Sequence, residues 1–97
     1  TIDKTMNGND LYIKVVGRLD TNTAPELEAQ LVSSFSSVEN LVIDFAELEY
    51  ISSAGLRVLI SAHKKVSEKG KLVIKNINDV VSEVFEVTGF KDILNIE

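Results

Sequence analysis

The chain has 97 residues, 44% of them hydrophobic, and ten basic against fifteen acidic side chains give it a formal charge of −5. That length fits one compact domain over residues 1–97 with a modest core. The acidity argues against direct binding of nucleic acid, which calls for a basic patch, and against an anionic membrane surface as partner. Cysteine is absent, so disulfides and thiolate metal sites are excluded.

A cysteine-free chain suits a reducing compartment. No basic segment leads into a short apolar one as in an export signal, and no apolar run approaches membrane-spanning length. A cytoplasmic location is the expectation.

In chain order, Leu11, Ile13 and Val15 alternate with polar neighbours and predict a strand over 11–16. Gly8-Asn9-Asp10 before it reads as a turn, so Ile2–Met6 is expected to pair antiparallel with that strand. Thr23-Ala24-Pro25-Glu26 matches a capping box, with proline where no hydrogen bond is lost. Leu27, Leu31 and Phe35 follow at helical spacing and predict a helix over about 24–36. Residues 41–45 (LVIDF) form a nearly continuous apolar run, the pattern of a strand covered on both faces.

Leu56, Leu59, Ile60 and Val66 share one face of a predicted helix over about 53–68, closed by Gly70 and complemented by Lys64, Lys65 and Lys69 at its negative end. Residues 71–75 (KLVIK) read as a short buried strand. Asn78 or Asp79 caps a third helix with Val81, Val84 and Phe85 inside; Gly89 ends it, and Phe90 folds back on Phe85. Ile93, Leu94 and Ile96 suggest a last short strand. The order β-β-α-β-α-β-α-β defines an α/β fold. Its small sheet is mixed but mostly parallel, with right-handed crossovers and helices packed against it.

Little in this pattern supports catalysis. His63 is the only histidine and has no second ligand at metal-binding spacing. Neither GxGxxG nor a Walker loop occurs, and Ile51 and Gly55 do not complete a GxSxG elbow around Ser53. Asp44, Glu47 and Glu49 are close in sequence, but such clusters are most often a solvated face. No cofactor, metal or catalytic residue is expected.

The serine pair stands out. In "YISSAGLRVLI", residues 50–60, Ser52 or Ser53 can cap the second helix, but one cap needs only one hydroxyl. Gly55 in the first turn costs about 1 kcal/mol relative to alanine. Its expected use is to let another backbone approach or to keep the entry accessible. A phosphate on Ser53 would be accepted at the positive end of the helix. If Asp20, Asp44, Glu47 and Glu49 surround the turn, it would also deepen a negative patch. The result is a surface switch that alters partner binding and leaves the fold intact.

The segments "GRLDTNTAPELEAQL" (17–31), "LVIDFAELEYISSAGLRVLI" (41–60) and "VFEVTGFKDIL" (84–94) together resemble the STAS domains of bacterial anti-sigma factor antagonists. The likeness runs over nearly the whole chain. It implies a non-enzymatic protein that binds an anti-sigma factor serine kinase and thereby frees a sigma factor. The kinase would release it by phosphorylating one serine, and a metal-dependent serine phosphatase would restore it. Many members read D-S-S/T-G-L at this turn. Aligned on Gly55 and Leu56, the acceptor falls on Ser53 and the preceding acid is replaced by Ser52, which leaves Ser52 as the second choice. The implied partner-binding positions are Asp20, Thr21, Asn22, Ser52, Ser53, Ala54, Gly55 and Arg57. Members often carry a further carboxy-terminal helix, shortened or lost in a sequence that stops at Glu97. The competing reading is a STAS scaffold that is never phosphorylated and joins a larger signalling or transport assembly.

Overall fold

A computed structural model describes residues 2–34 and 38–97. Strand β1 (Ile2–Asn7) pairs antiparallel with β2 (Asp10–Val15), as the turn at Gly8-Asn9 requires. A short β3 (Gly17–Leu19) precedes helix α1 (Ala24–Val32). Next come β4 (Asn40–Asp44), β5 (Leu48–Ile51) and helix α2 (Ser53–Val66). Strand β6 (Leu72–Lys75), helix α3 (Asp79–Thr88), a single 3-10 turn (Phe90–Asp92) and β7 (Asn95–Ile96) complete the order.

Five strands form the main sheet in the order β1-β2-β4-β6-β7, all parallel after the opening hairpin. This is the mixed, mostly parallel sheet that the sequence predicts. The predicted order does not count the strand-like segments ending at Asp20 and before Ser52 as separate strands; they form β3 and β5, which pair with each other in a separate two-stranded parallel sheet. Their contribution to the core is Leu19, Leu48 and Ile51, all buried.

Alternation decides which face each strand buries. Leu11, Ile13, Leu41, Ile43, Leu72 and Ile74 face the helices and join Leu27, Leu31, Leu59, Val66, Val81 and Phe85 in one core. The opposite face is uncovered at Tyr12 and half-covered at Val42. Strand β4 is therefore not sealed on both sides, because the described helices lie against one face only. Cross-strand registry arranges the open face in rows. One runs Asp3, Lys14, Asp44, Lys75 and on to Glu97, alternating in sign, while beside it Thr5, Tyr12, Val42, Val73 and Asn95 form a more apolar row.

Several helix ends differ from expectation. The Thr23 capping box does not form: its hydroxyl donates to the Arg18 carbonyl at 2.7 Å and accepts the Asp20 N–H at 2.8 Å. Helix α1 ends at Val32, and Phe35, part of the predicted helix, lies outside the described residues. Asn78, not Asp79, caps α3, accepting the Val81 N–H at 2.8 Å. Gly89 closes α3 in the left-handed conformation, φ 79°, as expected of a terminal glycine.

Gly70 has another function. Helix α2 stops at Val66, and Gly70 carries no left-handed φ. Its Cα is pressed against the chain entering β4, where an added Cβ would collide with the Glu39 carbonyl and lie 2.7 Å from the Asn40 side-chain oxygen. Gly70→Ala should lower unfolding stability by about 2 kcal/mol or more, a fall in Tm of roughly 10 °C by thermal circular dichroism. Gly70→Asn should be no better tolerated, since the constraint is space and not φ; rescue by asparagine would contradict this.

Candidate functional site

The carboxyl ends of β3 and β5 converge on one turn. Leu19 is registered against Ile51, and the Ser52 N–H donates to the Leu19 carbonyl at 2.9 Å. Ser52 is the residue before α2, and its carbonyl accepts the Leu56 N–H at 3.0 Å. Asp20 directly follows Leu19, so the pairing brings Asp20, Thr21 and Asn22 to the same end as Ser52 and Ser53. Two regions thirty residues apart in sequence thus meet.

The two serines are placed differently. Ser53, the first residue of α2, is exposed. The Ser52 Oγ is buried and has no hydrogen-bond partner among the described residues, so Ser52 is the cap by position but not by side chain. Thr21 and Asn22 are exposed, Ala54 is half-buried, and Arg57 is exposed one turn after Ser53. Gly55 is buried. A Cβ on it would come within 2.9 Å of the Leu19 carbonyl oxygen, Leu19 Cγ and Ile51 Cγ1. Of the two uses expected for this glycine, close backbone approach is the one present.

Asp20 is locked by its own turn. Its Oδ1 accepts the N–H groups of Asn22 at 2.9 Å and Thr23 at 3.1 Å, and Arg18 Nε lies 3.5 Å from Oδ2. The Asn22 and Thr23 amides hold its carboxyl below the usual range, with the Thr23 hydroxyl and Arg18 adding to the effect against partial desolvation. Arg18 also stacks over the Tyr50 ring, 4.6 Å from its centroid.

The other acids do not gather here. Glu47 pairs with Lys14 of β2. Asp44 accepts the Asn76 amide at 3.0 Å and the Ala46 N–H at 2.9 Å; those two bonds, in that order, lower its pKa, helped by Lys14 and Lys75. Asp44 and Glu47 thus sit before β5, with Glu47 about 16 Å of extended strand from Ser52. The expectation of a turn ringed by Asp44 and Glu47 is corrected: the fixed carboxylate at the turn is Asp20, partly offset by Arg18, and Glu49 is exposed within β5.

Beside the turn runs a groove of about 350 Å³ lined by Ser53, Leu56, Arg57, Ile60, Thr88 and Phe90. Sequence reasoning missed Thr88 and Phe90 as neighbours of Ser53, and missed Arg18 and Tyr50 altogether. The only signal for the latter pair is the β3–β5 register, which places Arg18 opposite Tyr50. His63 is half-buried with Nδ1 unpartnered, and no cluster of three or more possible metal ligands occurs among the described residues. No described helix is long and apolar enough to cross a membrane.

Fold and site define a small α/β domain whose strand-to-helix turn displays one serine beside a fixed carboxylate. The chain belongs to the STAS domain family, whose model matches residues 1–97. It is similar to the anti-sigma-B factor antagonist of Bacillus subtilis (strain 168), 31% identical over 96 residues, 98% of this chain and 88% of that protein. Among solved structures it is similar to the anti-sigma factor antagonist SpoIIAA in its unphosphorylated form, with TM-score 0.88, 17% identity, and coverage of 100% of this chain and 88% of that one. The phosphorylated form of SpoIIAA, a Bacillus cell fate determinant, matches with TM-score 0.80, 16% identity, and coverage of 100% and 91%.

Two outcomes test the geometry. Gly55→Ala should destabilise by about 1–3 kcal/mol in urea unfolding, although alanine is the better helix former by about 1 kcal/mol; a gain in stability would refute the close approach. Because the Asp20 pKa is depressed in the folded state, its contribution is present above the unfolded value near 4 and is lost as pH falls through the folded one. Wild-type stability should therefore fall more steeply below about pH 4 than that of Asp20→Asn, measured by urea midpoints across that range.

Proposed function

We propose that the protein is an anti-sigma factor antagonist controlled by phosphorylation of Ser53. Unmodified, it binds an anti-sigma factor that is also a serine kinase, and a sigma factor is freed. The observation that carries this reading is the separation of the two hydroxyls, Ser53 exposed at the start of α2 and Ser52 Oγ buried. A kinase can reach only a displayed side chain.

In the transfer, Ser53 Oγ attacks the γ-phosphorus of ATP and the bond to the β–γ bridging oxygen breaks. ADP leaves, and the hydroxyl proton passes to a base on the kinase. A serine phosphatase reverses the step by directing water at phosphorus, returning the hydroxyl and releasing inorganic phosphate. The added charge of about −1.5 to −2 arrives where the first-turn N–H groups of α2 tolerate an anion. It arrives beside Asp20 and at the mouth of the groove, so it changes the surface and not the core. Asp20, Thr21, Asn22, Ala54 and Arg57 complete the partner-facing surface, while Gly55 supports it from beneath.

A second reading, an unmodified scaffold, is favoured by apolar surface that does not involve Ser53. On α3, Val80 and Val87 are 55% and 81% exposed and line a further groove with Glu83, Val84 and Thr88.

Incubation with ATP and each serine kinase of the anti-sigma factor type from the native cell, followed by phosphopeptide mapping, separates the two. One phosphate on Ser53, absent from Ser53→Ala, is the expected result. Ser53→Ala should keep the fold and the partner. Ser53→Asp should keep the fold by circular dichroism and weaken the complex about tenfold or more, at least 1.4 kcal/mol. Phosphate on Ser52, or none with any native partner, would remove the proposal.

A further inference from the structure

We propose that a phosphate on Ser53 is received by Arg57 of the same helix, which withdraws that guanidinium from the mouth of the partner-binding groove. The inference rests on Ser53 being the modified residue and adds how the modification acts.

Ser53 and Arg57 stand four residues apart on α2, both exposed, and both line the groove with Leu56, Ile60, Thr88 and Phe90. Side chains at that spacing are neighbours on a helix surface. Helical side chains lean toward the amino-terminus, so the long arginine side chain is directed back over the turn that carries Ser53. A guanidinium offers a planar fork of donors that matches phosphate oxygens in pairs.

Arg57 is also uncommitted. Among the described residues it makes no ion pair and no hydrogen bond. Its helical neighbours three and four residues away are Ser53, Ala54, Ile60 and Ser61, none of them an acid. Of the cations on elements near this end of α2, Arg18 is engaged with Asp20 and Tyr50, and Lys91 with the Ser82 hydroxyl at 3.3 Å, while the acids Glu49, Glu83, Glu86 and Asp92 enter none of the ion pairs among the described residues.

The unmodified surface therefore offers a free cation at the edge of an apolar groove. It fits a protein partner that presents a carboxylate next to an apolar side chain. Phosphate claims the same cation intramolecularly and leaves excess negative charge in its place. Loss of attraction and gain of repulsion then occur at one position.

The test installs phosphoserine at position 53 during translation, so that no kinase is needed, and titrates the phosphate by phosphorus NMR. In the otherwise wild-type protein the second phosphate pKa should lie about 0.3 unit or more below that in Arg57→Gln. Arg57→Lys should recover part of the shift, and high salt should shrink it. The Arg57 Nε–H resonance should move on phosphorylation. Coincident titrations for wild type and Arg57→Gln at low salt overturn the contact, and would do so even if kinase labelling of Ser53 succeeds. Failure of labelling bears instead on the proposed function.

Discussion

The site depends on the carbonyl of Leu19. It accepts the Ser52 N–H at 2.9 Å, and the Cα of Gly55 lies so close that a methyl group there would meet the same oxygen at 2.9 Å. One backbone atom thus fixes both the end of β5 and the first turn of α2. The Asp20 turn is fixed with it, since Asp20 is the next residue and its carboxylate closes on Asn22 and Thr23. A hydrogen bond between backbones is insensitive to side-chain identity. The demand for glycine at position 55 is where this geometry becomes visible as a sequence requirement.

Charge is distributed so that the two ends of β5 differ. Before it, Asp44 and Glu47 are balanced by Lys14 and Lys75, and Asn76 donates to Asp44, in a network that continues the alternating row on the open sheet face. After it, Asp20 and Arg18 form a looser pair near Ser53, and Arg57 makes no ion pair among the described residues. Under the proposed reading, charge added at Ser53 would act beside Asp20 and Arg57 and not within the Asp44 network. Exposed pairs are individually weak, so the asymmetry matters for recognition more than for stability.

The main sheet was legible because period-two alternation over 11–15 and the apolar runs at 41–45 and 72–74 are local signals. Helices α2 and α3 were legible for the same reason, with Asn78 and Gly89 marking the ends of α3. Strands β3 and β5 read only as strand-like ends of their segments, and their pairing was not legible. Three and four residues long, they derive their stability from each other, and no local pattern encodes a pairing across thirty residues. The Thr23 box failed because the hydroxyl found partners in Arg18 and Asp20, which exist only once β3 has formed. Gly70 does close the turn after α2, its N–H donating to the Val66 carbonyl at 2.9 Å, but glycine is required there by close approach and not by φ, and sequence alone does not separate the two. The Ser52–Ser53 pair drew attention from sequence, but which hydroxyl is displayed depends on burial.

Pairing of Leu19 with Ile51 also has a kinetic implication. The turn is assembled from segments separated by more than thirty residues, so loop-closure entropy must be overcome before it exists. In the unfolded chain Ser53 is a serine among apolar neighbours, with no carboxylate alongside and no groove behind it. An enzyme that recognises the assembled surface distinguishes finished molecules from nascent or damaged ones without a separate check.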